Sequence, residues 1–325
     1  MYTFNQFYPI LIYPENFDGK YGVLEDEDIE ETDLPCVEIT FNVPLKKNDL
    51  DILLKYITRF KYIHITLRNY ESNVWNDLSF LGKFKRIDSF RLSDNTFDAV
   101  NELKYLPRDL KFLNLNATKK KLDLKFLIKF QMLNELVIEK QSKNLDTVGK
   151  LKNLTSLTIR SITLPNLDVF LPLSNQLESL DIKLGGIMNL ESLPKFTKLK
   201  YIELWQIRKF TDLTPVFKTK SLECIFIQSL RNVVQLPNMK ELINLKFFHI
   251  ENMKGLYDFT PINDAPVLED LRLVDMIHLK PEDIEPLVGH PTLKYFRAGL
   301  GSLKKNNVVE KMIPLPENYG RCTYS

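Results

Sequence analysis

The chain is poor in the residues that build catalytic and metal centres. Its 325 residues include 11 glycines, 4 histidines and 3 cysteines. It contains no glycine-rich phosphate loop, no G-x-S-x-G nucleophile turn and no H-E-x-x-H zinc motif. Little material is therefore present for nucleotide, acyl-transfer or zinc chemistry. We predict that the protein is not an enzyme and that it uses no cofactor or metal.

An excess of one charge and long apolar runs are also missing. Lys and Arg number 44 and Asp and Glu number 42, so the net charge of +2 gives no general attraction to nucleic acid or anionic membrane. No apolar stretch is long enough to span a bilayer. The N-terminus lacks basic residues before its apolar run and is interrupted by Pro9 and Pro14, unlike a secretory signal. The odd set of Cys36, Cys224 and Cys322 favours reduced thiols. These features predict a cytoplasmic monomer that binds neither nucleic acid nor membrane.

What the sequence does contain is a repeat of apolar residues. Each copy reads as an apolar residue, two variable ones, an apolar residue, one variable one and a final apolar residue, and eleven copies follow one another from Phe60 onwards at steps of 21 to 27 residues. Leu34-Val37-Ile39 is a degenerate twelfth copy. The last five copies begin, at steps of 23, 23, 23 and 25 residues, at Leu199, Leu222, Leu245, Leu268 and Leu293. A fixed period in the low twenties is typical of a stacked solenoid.

Each copy predicts one strand and one return segment. The second and third apolar residues are two positions apart, so they point to the same side of a strand while the residues beside them point to the other. About 17 residues per turn then remain to lead the chain back to the start of the next parallel strand. After Leu222 the apolar residues recur every three positions from Leu230 to Leu242. This step favours short 3₁₀ turns over an α-helix.

The segments LESLDI at 177–182 and LEDLRL at 268–273 resemble the LxxLxL segment of leucine-rich repeat proteins. The resemblance covers about residues 34 to 300. The return spacing is similar to that of the bacterial short-repeat type, seen in internalins and SDS-type phosphatase regulators, but without a secretion signal or anchor. The resemblance implies an α/β solenoid, an arc with a parallel inner sheet of about 11 to 12 strands and an irregular or 3₁₀ outer side.

The chain departs from this family at the ninth position of the repeat. The family usually has an asparagine there, whose side chain bonds the backbone of a neighbouring turn. Here Asn95 occupies the position once, and apolar residues replace it elsewhere. These are Ile162, Ile207, Leu230, Met253 and Met276. We therefore predict turns closed by packing instead of by an asparagine ladder.

The repeat divides the chain into three parts. Residues 1–33 carry no repeat and include an acidic run at 25–33, which is typical of a solvated loop or, alternatively, of a contact for a basic partner or a cation. Residues 34–300 form the predicted leucine-rich repeat domain, in which apolar spacing indicates a helix over 45–60 that covers its N-terminal end. Residues 301–325 are predicted to be a C-terminal cover and tail.

The most informative residues lie beside the buried strand positions in the second half of the array. They are unusually aromatic and charged, and Tyr, Trp and Arg are enriched at binding hot spots. We predict a protein-binding site on the concave sheet face, formed by Tyr201, Glu203, Trp205, Phe226, Gln228, Phe247, His249, Glu251, Arg272, Tyr295 and Arg297. An alternative is that flanking loops or the C-terminal tail fold over these side chains.

The function predicted from the sequence is a non-catalytic module that binds another protein. One alternative is an immunity protein, an inhibitor or a regulatory subunit that caps a toxin or an enzyme. A second is an enzyme, for which Cys224 beside His249 is the nearest nucleophile and base. A third is a scaffold that self-associates through the end strand of its sheet.

Overall fold

We analysed a computed structural model of the chain. It describes residues 10–12, 36–41, 47–68, 77–93, 100–117 and 121–320. The chain divides into two compact units, Met1–Asn153 and Leu154–Ser325, which are described in turn. The acidic run at 25–33 and the asparagine at position 95 lie outside the described residues.

The first unit is a parallel sheet whose strands follow one another in chain order. The strands are β1 (Ile10–Ile12), β2 (Cys36–Phe41), β3 (Tyr62–Leu67), β4 (Ser89–Leu92), β5 (Phe112–Leu115) and β6 (Glu135–Glu139). The later strands are joined by 3₁₀ turns at Ser79–Lys83, Val100–Tyr105, Leu124–Lys129 and Leu145–Lys150. The degenerate copy at Leu34-Val37-Ile39 is therefore a true turn, because it supplies β2. The strand β1 lies in the part of the chain that carries no repeat.

A helix joins β2 to β3, as the sequence predicts, but it is shorter than the predicted span of 45–60. Helix α1 covers Lys47–Tyr56, and a 3₁₀ turn at Ile57–Arg59 continues it. Leu50, Leu53 and Ile57 are buried, so the helix is held by the apolar stripe that predicted it.

The main sheet of the second unit has seven strands, which are joined by six short return segments. Its strands are β7 (Ser156–Arg160), β8 (Thr163–Leu164), β9 (Ser179–Lys183), β10 (Gly186–Ile187), β11 (Tyr201–Trp205), β12 (Cys224–Gln228), β13 (Phe247–Glu251), β14 (Asp270–Val274) and β15 (Tyr295–Ala298). The sheet runs in the order β7-β9-β11-β12-β13-β14-β15, and β8 pairs separately with β10. All of these pairs are parallel.

Short 3₁₀ and helical turns form most of the return side of this unit, as the three-residue apolar step predicts. The segment from Leu230 to Leu242, on which that prediction was based, is an exception because it contains only isolated turns. They are the 3₁₀ turns Asp168–Leu173, Leu193–Lys195, Thr260–Asp264 and Pro281–Leu287 and the single α-helical turn α2 (Thr214–Phe217). After β15, helix α3 (Leu303–Met312) begins at Ser302, whose hydroxyl accepts a hydrogen bond from the Lys305 N–H at 3.3 Å. Both units thus have the architecture of an α/β solenoid.

The core lies between the sheet and the return segments. Strand residues at the second and fourth positions, such as Leu180 and Ile182 in β9, are almost fully buried. Phe170, Phe196 and Phe210 fill the space beneath them from the return side. Burial of each such side chain contributes about 1.5–3 kcal/mol relative to exposure. Because every turn contributes the same positions, the apolar repeat accounts for most of the core.

The residue that follows each of the strands β7, β9, β11, β12, β13 and β14 adopts a left-handed backbone conformation without being glycine. The values of φ are 55° at Ser161, 57° at Leu184, 49° at Gln206, 54° at Ser229, 49° at Asn252 and 53° at Asp275. This conformation costs roughly 1–2 kcal/mol for a residue with a Cβ atom. The cost is offset because the turned N–H reaches the next strand. The Gln206 N–H, for example, donates to the Gln228 carbonyl at 2.9 Å.

Methionine sulfur takes the place of the missing asparagine at two turns. The Leu230 N–H points at the Met253 sulfur at 3.3 Å, and the Met253 N–H points at the Met276 sulfur at 3.4 Å. These three residues occupy the ninth position of successive repeats and are fully buried. Packing alone, as predicted from the sequence, is therefore an incomplete description of these turns, because thioether acceptors also satisfy buried donors.

Candidate functional site

The strands of the second unit present one side to the core and the other to what we call the open face. The open face carries the first, third and fifth residues of β7, β9, β11, β12, β13, β14 and β15. All eleven residues predicted as a binding site lie on it. The strand register brings the third residues into one row, which reads Thr158, Asp181, Glu203, Phe226, His249, Arg272 and Arg297. The row therefore changes from acidic to aromatic to basic along the sheet.

One lysine pairs with both carboxylates at the acidic end of the row. The Lys183 ammonium lies 3.2 Å from Asp181 and 2.7 Å from Glu203, and these three side chains are 14 to 20% exposed. The Thr158 hydroxyl donates to Asp181 at 3.2 Å, and the Tyr201 hydroxyl donates to Glu203 at 3.2 Å. Burial raises the pKa of Asp181 to about 6, despite the opposing effect of Lys183. The pKa of Lys183 is raised, because the carboxylates outweigh the effect of its own burial.

The centre of the row is a stack of rings. The His249 imidazole lies against Phe226, with centroids 4.1 Å apart, and its centroid is 6.4 Å from that of Phe247. His249 Nε2 is 3.0 Å from a Glu251 oxygen, and the Gln228 amide donates to the other oxygen at 2.6 Å. Burial, followed by the Arg272 guanidinium, lowers the pKa of His249 to about 4. Burial and neighbouring acids raise the pKa of Glu251. The imidazole is therefore neutral at pH 7.

Trp205 is the last residue of β11 and lies on the open face two positions after Glu203. The Arg160 guanidinium is 5.9 Å from its ring centroid. The Trp205 indole nitrogen is buried and has no hydrogen-bond partner within the described part of the chain. The Trp205 side chain as a whole is only half-buried, so part of its ring, though not its N–H, is open to contact with another molecule.

The C-terminal tail covers the basic end of the row. The Gly320 carbonyl accepts from the Arg272 guanidinium at 2.7 Å, and the Asn318 amide donates to Asp270 at 3.1 Å. Asp270 and Arg272 also pair with each other at 3.0 Å, and their side chains are only 7% and 12% exposed. The alternative in which the tail folds over the predicted site is thus correct for Arg272 of β14, whereas Tyr295 and Arg297 of β15 stay exposed. Phe247, with 9% exposure, is largely covered as well.

The structure gives no support to nucleophilic chemistry at Cys224. This residue is 2% exposed and is disulfide-bonded, so it offers no thiol. The prediction of reduced thiols is therefore wrong for Cys224. Cys36, in the first unit, is a free thiol whose pKa is raised to about 11, mainly by burial. Cys322 lies outside the described residues.

Sequence reasoning missed the group around Asp181 and Lys183. Asp181 is the fifth residue of LESLDI, and Lys183 directly follows that segment. The two residues occupy the third and fifth places of β9. The signal that could have revealed them is that two open-face places of the same strand both carry a charged residue. Across the described ranges, no group of three or more His, Cys, Asp and Glu side chains is arranged to hold a metal ion.

Comparisons with known proteins identify the fold but find no relative by sequence. No protein-family model matches the sequence, and no curated protein matches it. Among solved structures, an internalin, InlF, from Listeria monocytogenes is similar over 88% of this chain and 81% of its own, with a TM-score of 0.52 and 16% identity. The leucine-rich repeat protein LIC12759 of Leptospira interrogans matches over 89% and 96%, with a TM-score of 0.45 and 14% identity.

A membrane-crossing helix is not among the elements of the described ranges, since none has both the length and the hydrophobicity required. The parallel strands, the 3₁₀ return turns and the likeness to InlF agree with the resemblance seen in LESLDI and LEDLRL. The chain has the leucine-rich repeat fold.

Proposed function

We propose that the protein is a non-catalytic interaction module that binds a protein ligand on the open face of its second unit. The observation that carries this proposal is that the side chains of Tyr201, Trp205 and Gln228 on the open face are only half-buried. Tyr and Trp side chains are enriched at binding hot spots, because one ring supplies a large contact area. Gln228 lies opposite Trp205 in the strand register, and Tyr201 lies at the other end of β11.

Rigidity supports the proposal further. Tyr201, Glu203 and Trp205 all lie on β11, which pairs with β9 on one side and β12 on the other. Side chains held on a paired strand lose little conformational freedom on binding, so more of the contact energy appears as affinity. The basic end of the row, by contrast, is occupied by the tail. We therefore place the centre of the binding surface at Tyr201 and Trp205 instead of at Arg272.

The experiment is affinity capture from the native organism followed by reconstitution with the purified partner. Wild type is compared with the Tyr201→Ala/Trp205→Ala double variant. Loss of two hot-spot side chains, at about 2 kcal/mol each, predicts a fall in affinity of roughly a thousandfold, or at least thirtyfold if they act as one unit. The matched control is Tyr257→Ala, which removes a 55% exposed aromatic ring from the return side.

Binding lost in the double variant with unchanged thermal stability supports the proposal. Equal binding by wild type and the double variant would contradict it. If the captured partner is an enzyme or a toxin whose activity falls on binding, the inhibitor or regulatory alternative is the correct version of this function. Monomeric state and partner identity are tested in the same reconstitution by light scattering and mass spectrometry.

Localisation is part of the same proposal. The sequence predicts the cytoplasm, and this stays a prediction. The disulfide at Cys224 favours an oxidising compartment instead, because disulfides persist there and are rare in the cytosol. Fractionation of native cells, with blotting under non-reducing conditions, distinguishes the two.

A further inference from the structure

Exposed basic residues border the open face where the strands β11, β12 and β13 end. Arg208, Arg231 and Lys254 each follow the last residue of one of these strands by three positions. Neighbouring strands are about 4.8 Å apart, so the three residues recur at about this step. A Cβ atom placed on Gly255 would lie 3.7 Å from the Arg231 carbonyl, so the two turns are still in contact here. We call these three residues and Lys209 the basic ladder, and all four side chains are exposed.

The charges of the basic ladder are not neutralised by the part of the chain that the structure describes. None of its four side chains lies within 4.0 Å of a carboxylate there. Asp212, the acid that follows Arg208 most closely in the chain, accepts a hydrogen bond from the Thr214 N–H at 2.8 Å instead. Like charges at this separation repel one another, although water and salt screen the repulsion. An anionic group brought against the ladder would therefore be attracted to it.

The opposite border of the open face shows that the repeat can avoid such repulsion. The residues that directly precede the strands alternate in charge from one turn to the next. They are Glu178, Lys200, Glu223, Lys246, Glu269 and Lys294. Lys200 lies 3.9 Å from Glu223, and Lys294 lies 3.0 Å from Glu269. A ladder of one sign, in a repeat that elsewhere alternates, is therefore better explained by recognition than by folding.

The spacing of the ladder fits one face of an α-helix. Arg208, Arg231 and Lys254 recur at about 4.8 and 9.6 Å. The rise of an α-helix is about 1.5 Å per residue, so carboxylates at positions i, i+3 and i+7 recur at about 4.5 and 10.5 Å on one face. Side chains on one side of an extended strand recur at about 6.6 Å and fall out of step. A helix that lies across the turns can thus present one carboxylate to each of the three cations.

The ladder adjoins the surface proposed above, because Trp205 and Gln228 are the last residues of β11 and β12. We propose that the partner bound at Tyr201 and Trp205 is an acidic protein, which lays a helix with carboxylates at i, i+3 and i+7 along the basic ladder. This inference rests on the proposed function and specifies the chemistry of its partner.

A protein fits the ladder better than a nucleic acid or an anionic membrane does. The ladder spans only about 10 Å, whereas both of these ligands extend far beyond it. Glu251, the last residue of β13, has its hydrogen bonds with the neutral groups of Gln228 and His249. Its uncompensated charge would repel phosphates at the edge of the ladder. A protein can place carboxylates on the ladder and other groups beside Glu251.

Cross-linking with a carbodiimide in native extract tests the contact. The reagent joins lysine amines to carboxylates that touch them, so the Arg208→Lys/Arg231→Lys variant adds two reporters without changing the charge. The expected links join acids of one partner to Lys209, Lys254 and positions 208 and 231, and these acids are three or four residues apart in its sequence. No link from the ladder to another protein, or links to acids without this spacing, would overturn the proposal.

Two lysines of the return side are the internal control for the cross-linking. Lys220 lies 3.6 Å from Glu241, and Lys240 lies 3.8 Å from Asp264. These lysines should form links within the chain. A partner that is linked equally to them and to the ladder is bound without specificity, and this result would also contradict the proposal.

Charge reversal then measures the contribution of the ladder with the purified partner. Arg231→Glu/Lys254→Glu should lower the affinity by about tenfold or more and weaken its dependence on salt. Lys195→Glu/Lys198→Glu, in the segment before β11, is the matched control, because both lysines are equally exposed and their reversal should change the affinity by less than about twofold. Thermal denaturation checks that both variants are folded. Equal losses in the two variants would overturn the proposal.

The variants also separate this inference from the proposed function. Binding that is lost in Tyr201→Ala/Trp205→Ala but kept in Arg231→Glu/Lys254→Glu supports the proposed function and refutes the acidic partner. If neither variant affects binding, both proposals fail. Vesicles with anionic lipid and DNA of random sequence are the remaining probes. Binding of wild type to either of them at physiological salt, lost on charge reversal of the ladder, would assign the ladder to that ligand and overturn the choice of a protein.

Discussion

Phe226 and His249 lie opposite each other on neighbouring strands, and their rings are stacked at 4.1 Å with an angle of 16° between the planes. An imidazole in this position is desolvated and faces a guanidinium, so its charged form is disfavoured. The aromatic centre of the open face is therefore built around a neutral histidine.

Stability should fall as the pH is lowered from about 6.5 to about 4. In this window the unfolded chain binds a proton at His249 that the folded protein does not bind, since the folded pKa is about 4. Stability that is present above pH 6.5 is thus lost as the pH falls, by up to about 3 kcal/mol for this residue. Urea denaturation of wild type and His249→Phe between pH 4 and 8 checks this. The variant should show a flatter profile.

Two other groups shape the same profile. The pKa of His64 in the first unit is also lowered to about 4, mainly by burial, and contributes in the same direction. Asp181 acts in the opposite direction. Its folded pKa is raised to about 6, so the folded state binds more protons than the unfolded state between the two values, and stability falls as the pH rises through them. A His249→Phe profile as steep as that of wild type would contradict the assignment.

Replacement of Lys183 by Met should destabilise the second unit. It leaves Asp181 and Glu203 close together without their shared counter-ion, and removal of one partner from a largely buried ion pair typically costs several kcal/mol. We expect a loss of about 2 kcal/mol, because these groups keep some exposure. Adding Asp181→Asn and Glu203→Gln should restore much of it, as measured by urea denaturation.

The control for this experiment is Lys150→Met. Its ion pair with Asp146 spans one helical turn, and both side chains are about 60% exposed. Exposed pairs of this kind are worth only about 0.3–0.5 kcal/mol. If Lys183→Met costs no more than Lys150→Met, the central charge group does not stabilise the open face.

Replacement of Met253 by Leu should test the thioether acceptors. The volume of the side chain is kept, but the buried Leu230 N–H loses its acceptor. An unsatisfied buried donor costs about 1–3 kcal/mol. Met239→Leu is the matched control, because Met239 is equally buried and its volume change is the same. Thermal denaturation should show a larger loss for the first variant. Equal losses would mean that the sulfur contributes by packing alone.

The start of helix α3 should depend on the hydroxyl of Ser302. Its oxygen satisfies the Lys305 N–H in the first turn, and loss of such a cap costs about 1 kcal/mol. Ser302→Ala should therefore lower stability by about this amount, and Ser302→Asp should not. The comparison is made by chemical denaturation, and similar losses in both variants would argue that the cap is not formed.

The strand positions could be predicted because one constraint repeats. Leu180 and Ile182 occupy the same two places in their copy as Leu271 and Leu273 do in theirs, and these places are buried in every copy except at Ala298 in the last one. An error in the prediction of one turn is therefore corrected by its neighbours. The side of the sheet on which Tyr201 and Trp205 lie follows directly from the two-residue period. The 3₁₀ turns were predictable for the same reason.

The remaining features depend on contacts that carry no periodic signal. Strand β1, at Ile10–Ile12, pairs with β2 although no repeat marks it. The hydrogen bond from Arg272 to Gly320 joins residues 48 positions apart, and neither segment carries a sequence pattern that predicts this contact. Met253 is an apolar residue at a buried place of the repeat, so the sequence indicates packing alone. Its role as a hydrogen-bond acceptor appears only in the folded backbone.

The shared register makes the turns of the second unit exchangeable parts for protein engineering. Ile202, Ile225 and Phe248 lie opposite one another on successive strands. Excision of the 23 residues from Leu222 to Asn244 would bring β11 beside β13 with every side chain still facing its original side. Excision of a single residue within a strand would turn its leucines outwards. The molecule can therefore be shortened or lengthened in whole turns, and each choice of turns sets a different pattern of side chains on the open face.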